Sequence, residues 1–201
     1  MKTYASKKTQ MLLRLALFMA LVAIQTWVPF LGNINIPPLS ITFVHVTVIV
    51  ATLWLGTKAG LVVGGFWGIN SWIRSVVMPI SPLQQLVLSS PIISVIPRLL
   101  MPLIIGLLFH GLKVETQNKK WVQVLFGALG AILNTVILLG FIGLFKADAG
   151  MGAMGAETNA ALWMILMGIV TVNGIPEMIF SGLVTPPLLM ALKHSRRRIG
   201  K

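Results

Sequence analysis

The chain has 201 residues, 56% of them hydrophobic and only 10% charged, with a mean hydropathy of +0.90. A soluble domain carries about 25% charged residues, so this composition excludes a soluble globular protein and describes an integral membrane protein. The net charge of +12 does not point to nucleic acid, because the cations gather at the termini and in short loops, as a topology signal does. The lack of cysteine excludes disulfides, thiolate metal sites and a cysteine nucleophile.

The basic start MKTYASKKTQ precedes an apolar run that has no small-residue cleavage site, which predicts a first transmembrane helix rather than a cleaved signal peptide. Each span needs about 20 residues. Six are predicted, forming one all-α membrane domain over 1–201, a six-transmembrane-helix bundle. The first covers 11–30, ending near Pro29, and the Asn- and Pro-rich loop LGNINIPPLS (31–40) follows. The second covers 41–56 and is separated by the turn GTKAG from the third, 59–78. After the loop PISPLQQ (79–85) comes the fourth, 86–112, and then the polar connection KVETQNKK (113–120). The fifth runs over 121–145. The loop KADAGMGAMGAETNA (146–160) is expected to be mobile, and the sixth span, 161–192, to be interrupted by Pro176, Pro186 and Pro187.

Lys and Arg set the orientation. Lys2, Lys7, Lys8, Arg14, Lys58, Lys113, Lys119, Lys120, Lys193, Arg196, Arg197, Arg198 and Lys201 fall on one side, and only Lys146 on the other. Both termini are therefore expected in the cytoplasm. Loops 31–40, 79–85 and 146–160 then face outward, with a pocket opening beneath them.

Arg74 and Arg98 lie inside spans. Arg74, near an outer end, is placed to snorkel. Arg98 is deep in its span, where an arginine costs about 2.5–3.5 kcal/mol on insertion scales and marks a partner, cavity or ligand. Pro91, Pro97 and Pro102 share its helix and free backbone carbonyls, so a clamp on those carbonyls or on Glu177 stands beside ligand binding. Glu177 has Asn173 one turn earlier on nearly the same face, and serves either as counter-ion or as ligand contact. Asn134 shares a face with Gly127, Gly130 and Ala131, where small residues permit close helix approach and the amide offers either helix glue or a ligand contact. The third span presents Gly60, Gly64, Trp67, Ser71 and Arg74 on one broad face with Asn70 at its margin, while Trp72 fits an interfacial belt. Thr42 and His45 stand one turn apart at the outer start of the second span. Ala16, Ala20 and Ala23 form a flat small-residue stripe on the first.

There is no P-loop, H-E-x-x-H, nucleophile elbow or metal-ligand cluster. No 3+3 repeat marks a self-contained alternating-access carrier. These features together predict a membrane-embedded binding subunit.

The residues resemble the substrate-binding S components of energy-coupling factor (ECF) vitamin transporters over nearly the whole chain. The resemblance is carried by Ala16-Leu17-Phe18-Met19-Ala20 in the first helix, by ITFVHVTVIVATLWLGTKAGLVVGGFWGINSWI for the second and third, by IPRLLMPLIIGLL for the fourth and by NGIPEMIFSGLVTPPLLMAL for the sixth. Among subtypes it is most similar to the pantothenate-specific component. The resemblance implies a subunit of the bacterial cell membrane that captures a vitamin outside with nanomolar-class affinity and reorients in the membrane. Its implied partners are a transmembrane coupling subunit and two cytoplasmic ATPase subunits. No cofactor is implied for this chain, ATP and magnesium being used by those partners. Ala16 and Ala20 match the family's coupling-subunit contact, and Arg98 and Asn134 sit where the resemblance places substrate contacts. Facing and depth add Trp67, Asn70, Asn173, Glu177 and His45 as candidate substrate-binding residues.

Pantothenate offers a carboxylate for Arg98 and an amide and hydroxyls for Asn134, Asn70 or Asn173, and the carboxylate–guanidinium pair is strong in a dry pocket. Folate also carries carboxylates, whereas a chain with one tyrosine serves a large flat ring such as riboflavin less well. Two other classes stay open on residues alone. One is a proton-coupled small-molecule carrier with Glu177 as the titrating group. The other is an intramembrane enzyme using Glu177, His45 and Arg98, against which stands the lack of a paired carboxylate or catalytic motif.

Overall fold

A computed structural model of the chain describes residues 6–28, 31–36, 39–79 and 84–199. Lys2, Pro29 and Lys201, with 37–38 and 80–83 of the loops expected to face outward, lie outside the described residues. The first helix, α1 (Lys7–Trp27), starts where the Ser6 side chain accepts the Thr9 N–H at 3.2 Å, satisfying one of the donors that a helix start leaves unpaired. The segment expected to be a loop at 31–40 instead contributes an antiparallel hairpin, β1 (Asn33–Ile36) with β2 (Leu39–Thr42), in which Asn33 pairs with Thr42 and Ile36 with Leu39. The β-branched Ile34, Ile36, Ile41 and Thr42 favour extended backbone, so the protein is nearly all-helical rather than all-α.

A single residue, Gly56, joins α2 (Val44–Leu55) to α3 (Thr57–Val77). Its φ of +106° belongs to a region that side chains other than hydrogen avoid. The apolar run predicted as one helix over 86–112 is divided. A π-helical turn at Gln84–Leu88 precedes α4 (Pro91–His110), because Pro91 has no N–H to continue a helix and is favoured at its first position. The carbonyls released at this break are captured: Trp72 Nε1 donates to Ser89 O at 2.8 Å, and Ser75 Oγ donates to Leu88 O at 2.8 Å, where Ser94 Oγ also donates. Trp72 is thus a hydrogen-bonded strut near the C-terminal end of α3, a more specific role than interfacial belt.

The polar connection holds a one-turn helix, α5 (Val114–Gln117), before α6 (Lys120–Phe145). The stretch expected to be a mobile loop at 146–160 forms α7 (Ala147–Met154), ended by Gly155 in the left-handed region at φ +68°, a common helix stop. Its alanines and methionines are good helix formers. Thr158 then caps α8 (Asn159–Ile169), accepting the Ala161 N–H at 3.1 Å. A π-helical segment, Val170–Gly174, leads into α9 (Ile175–Ile199). The helix runs without a break from α8 into α9, so the irregularity falls in the turn just before Pro176, where the missing N–H and the ring disturb the helix, whereas Pro186 and Pro187 lie within regular helix.

Four helical segments among the described residues are long and apolar enough to cross a membrane: 8–27, 91–110, 120–145 and 159–194. α2 is the hub, touching α1, α3, α4, α6 and α9. Lipid tails are as apolar as leucine, so helices associate through close packing at small residues. A β-carbon at Gly64 would run into the Arg98 carbonyl and lie 3.0 Å from Pro102 Cγ, and at Gly68 it would lie 2.8 Å from Val95 Cα. These positions bring α3 and α4 into backbone contact. At Gly127 a β-carbon would be 2.6 Å from the Ser181 carbonyl oxygen, and at Gly130 2.6 Å from Ile49 Cδ1, so α6 seats against α9 and α2 in the same way. Two apolar clusters result. One gathers α2 with Met101, Ile105, Phe109 and Phe126. The other gathers Val87, Ile93, Leu139, Ile142, Leu162 and Leu166 beneath α7.

Candidate functional site

Buried polar side chains gather along α4, α6 and α9 and at the start of α2. Arg98, on the second turn of α4, is 5% exposed. Its Nη1 donates to the Ile93 carbonyl at 3.0 Å. Ile93 is the residue four before Pro97, and its carbonyl is the acceptor that a proline cannot satisfy, so the clamp anticipated from the proline spacing is present. The guanidinium carbon also lies 5.1 Å from the centroid of the Trp67 ring, within cation–π range. Arg98 Nε is buried and makes no hydrogen bond. A guanidinium has five N–H groups in a fixed fork. Here a carbonyl and an aromatic face fix its plane while donors remain for a further acceptor.

Glu177 does not pair with Arg98. Its Oε1 accepts the Thr42 backbone N–H at 2.7 Å and its Oε2 the Thr135 hydroxyl at 3.2 Å, which accounts for a carboxylate only 3% exposed. One turn on, Ser181 Oγ lies 2.6 Å from His45 Nε2. Between these two bonds the Phe43 and Phe180 rings pack at 4.6 Å. The start of α2 is thus fastened to α9 by three successive contacts, with Glu177 and His45 at either end of the series.

Asn134 is 3% exposed with its Oδ1 lacking a hydrogen-bond partner. It neighbours Thr135, the Glu177 partner, so α6 brings an unsatisfied amide oxygen and a latch residue to one level. Asn173 is 8% exposed and sits in the π-helical segment just before Glu177. Asn70 has both amide ends occupied: Nδ2 donates to Phe66 O at 2.8 Å and Oδ1 accepts from Trp27 Nε1 at 2.9 Å. It ties α3 to α1. Ala16 and Ala20 are exposed on α1, on a face shared with Leu13, Leu17 and Ile24.

Sequence reasoning missed Thr135, Ser181, Ser94 and Trp27. Ser181 follows Glu177 by four residues, one helical turn, but only the fold brings His45 opposite it. Chemically, Arg98 with Trp67 offers a fixed cation against an aromatic face, and Asn134 on α6 offers an unsatisfied amide oxygen. That set suits an anion carrying hydroxyl or amide N–H donors. Among the described residues no group of His, Asp and Glu is arranged to hold a metal ion.

Residues 10–189 match the family described as ECF transporter, substrate-specific component. The chain is 32% identical over 183 residues to the pantothenate transporter PanT of Leuconostoc mesenteroides subsp. mesenteroides, an alignment covering 87% of this chain and 88% of that protein. It is 28% identical over 195 residues to the pantothenic acid transporter PanT of Lactococcus lactis subsp. cremoris, covering 90% and 93% respectively.

Proposed function

The chain belongs to the family of substrate-specific components of ECF transporters, and we propose that within it this protein is the high-affinity capture subunit for pantothenate. It is a multi-pass protein of the cell membrane. In the proposed arrangement α2 and α3 complete six spans, both termini are cytoplasmic, and the β1–β2 hairpin and α7 cover the outer mouth. Arg98 anchors the pantothenate carboxylate, Trp67 stacks against the guanidinium and walls the pocket, and Asn134 accepts a hydroxyl or amide N–H of the ligand. Asn173 adds a second amide. Glu177 and His45 shape the pocket from α9 and α2, and Asn70 steadies its α3 wall. The chain binds no cofactor itself. A coupling subunit docks on the Ala16 and Ala20 face, and two cytoplasmic ATPases drive release by reorienting the subunit in the membrane.

The observation that carries this reading is Arg98: a buried guanidinium oriented by Trp67 and the Ile93 carbonyl with Nε left unbonded. A charge-assisted carboxylate pair in such a setting is among the stronger polar interactions. The test is calorimetric titration of the purified chain with pantothenate. Saturable tight binding is expected. No binding heat for pantothenate together with tight binding of folate or riboflavin overturns the ligand assignment. Uptake by the chain alone in ATP-free proteoliposomes overturns the capture-subunit mechanism.

A further inference from the structure

At the end of the bundle away from the hairpin, a cleft of about 520 Å³ opens between the C-terminal ends of α2 and α4, the short α5 and the last turns of α9. It is separate from the Arg98 cluster: Arg98 and His110 are twelve residues apart on α4, a rise of about 18 Å. One wall is apolar, made by Leu53, Trp54 and Phe109, and the other is polar, made by Gln117, Asn118 and Lys193. Lys193 Nζ donates to Asn118 Oδ1 at 2.7 Å. That bond fixes the ammonium at the cleft and uses one of its three donors. The Gln117 amide is held by the Leu112 carbonyl at 2.8 Å. Arg14 does not line the cleft but lies next to its Trp54 wall, with its guanidinium carbon 5.1 Å from the ring centroid. Lys113 and Lys119 flank the connection. Glu115, the acidic residue of α5, is exposed, and among the described residues neither Lys193 nor Arg14 is engaged in an ion pair.

We infer that this cleft binds the phosphate of an anionic phospholipid from the adjoining leaflet, with the glycerol and upper acyl chain lying on Leu53, Trp54 and Phe109. Basic pockets between helices at the membrane surface recognise anionic headgroups. A small soluble anion makes no use of the apolar wall, and a zwitterionic headgroup brings its own cation toward Lys193 and Arg14. The volume lies in the range that holds a ligand of headgroup size. That the leaflet is the cytoplasmic one rests on the orientation proposed above; the binding itself does not.

The experiment is native mass spectrometry of the full chain, purified in detergent, with phosphatidylglycerol or phosphatidylcholine added at equal concentration. Preferential retention of phosphatidylglycerol is expected, reduced about fivefold by Lys193→Gln and similarly by Arg14→Gln, and kept by Lys193→Arg. Equal retention of the two lipids, or unchanged phosphatidylglycerol retention in the double Lys193→Gln, Arg14→Gln variant, overturns the proposal. Displacement of the lipid by inorganic phosphate or glycerol 3-phosphate at matching concentration also overturns it, assigning the cleft to a small anion. If Lys193→Gln abolishes association with the coupling subunit while lipid retention is unchanged, the occupant is an acidic protein segment instead. Pantothenate titration of each variant reports folding. Where Lys193→Gln does not fold, Arg14→Gln carries the comparison. A wild-type chain that retains phosphatidylglycerol but ignores pantothenate refutes the substrate assignment alone.

Discussion

The Glu177 carboxylate on α9 accepts the backbone N–H of Thr42, 2.7 Å away at the last residue of β2. A side chain on the last long helix thereby sets the position of the hairpin that enters α2. The bond is local in space but spans most of the sequence, and it couples the β1–β2 hairpin to the same α9 turn that meets Thr135.

Removing that acceptor deletes the 2.7 Å bond between the Thr42 N–H and α9. Glu177→Ala is expected to destabilise the protein by about 1–3 kcal/mol, read as a lower thermal midpoint in detergent, with faster hydrogen exchange over residues 39–46. Glu177→Gln keeps one oxygen for Thr42 and restores most of the loss. A Gln variant as damaged as the Ala variant shows that the charge itself is required, and refutes a purely hydrogen-bonding latch.

Arg98→Ala is expected to weaken pantothenate binding by about 10–100-fold or more, the worth of a hydrogen bond to a charged group, while leaving the purified protein folded. Arg98→Lys recovers part of the charge but not the planar fork, so its affinity falls between the two. Trp67→Phe should be milder than Trp67→Ala, because a phenyl face still meets the guanidinium. Unchanged affinity in Arg98→Ala removes the carboxylate anchor from consideration.

The α3–α4 seam makes a contrasting pair of glycine substitutions. Gly68→Ala adds a β-carbon 2.8 Å from Val95 Cα, and because that neighbour is backbone, the helices must part at a cost of about 1–3 kcal/mol. The displacement is transmitted to Arg98 one turn along, so affinity falls with stability. Gly140→Ala, where nothing lies within 4 Å, is expected to leave both unchanged. Thermal unfolding and calorimetry on the two variants check this, and equal tolerance at both sites would show that the seam is not tight.

Ala16 and Ala20 lie exposed on α1. Replacing both with Leu is expected to abolish ATP-driven uptake in vesicles holding the complete transporter while pantothenate affinity of the isolated chain stays within about twofold, since neither residue supports the core. Lost affinity in that variant means the stripe packs inside the bundle.

The positions of the long helices, the glycine faces and the clamp on Arg98 were legible in the sequence because each depends on spacing within one segment. Pro97 and Arg98 are adjacent, so the freed Ile93 carbonyl follows from helix geometry alone. The contacts of Glu177 were not legible, because its partners Thr42 and Thr135 are distant in sequence and one of them is a backbone group. Asn70 shows the same limit: its position at the margin of the Trp67 face suggested a ligand contact, whereas its amide is occupied by Phe66 and Trp27. The hairpin and α7 were obscured by composition. Asn, Pro and Gly mask the strand-forming Ile34, Ile36 and Ile41 and the helix-forming Ala and Met of α7, and α7 also packs against α8.

The one-residue link at Gly56 bears on how the chain enters the bilayer during synthesis. α2 has twelve residues, a rise of about 18 Å against a hydrocarbon thickness of about 30 Å, and most of it is shielded by other helices in the finished bundle. A segment of that length is poorly retained as an independent span. With one residue between them, α2 and α3 are expected to enter the bilayer together as a helical hairpin. A side chain at position 56, strained at φ +106°, is therefore expected to lower the yield of membrane-inserted chain.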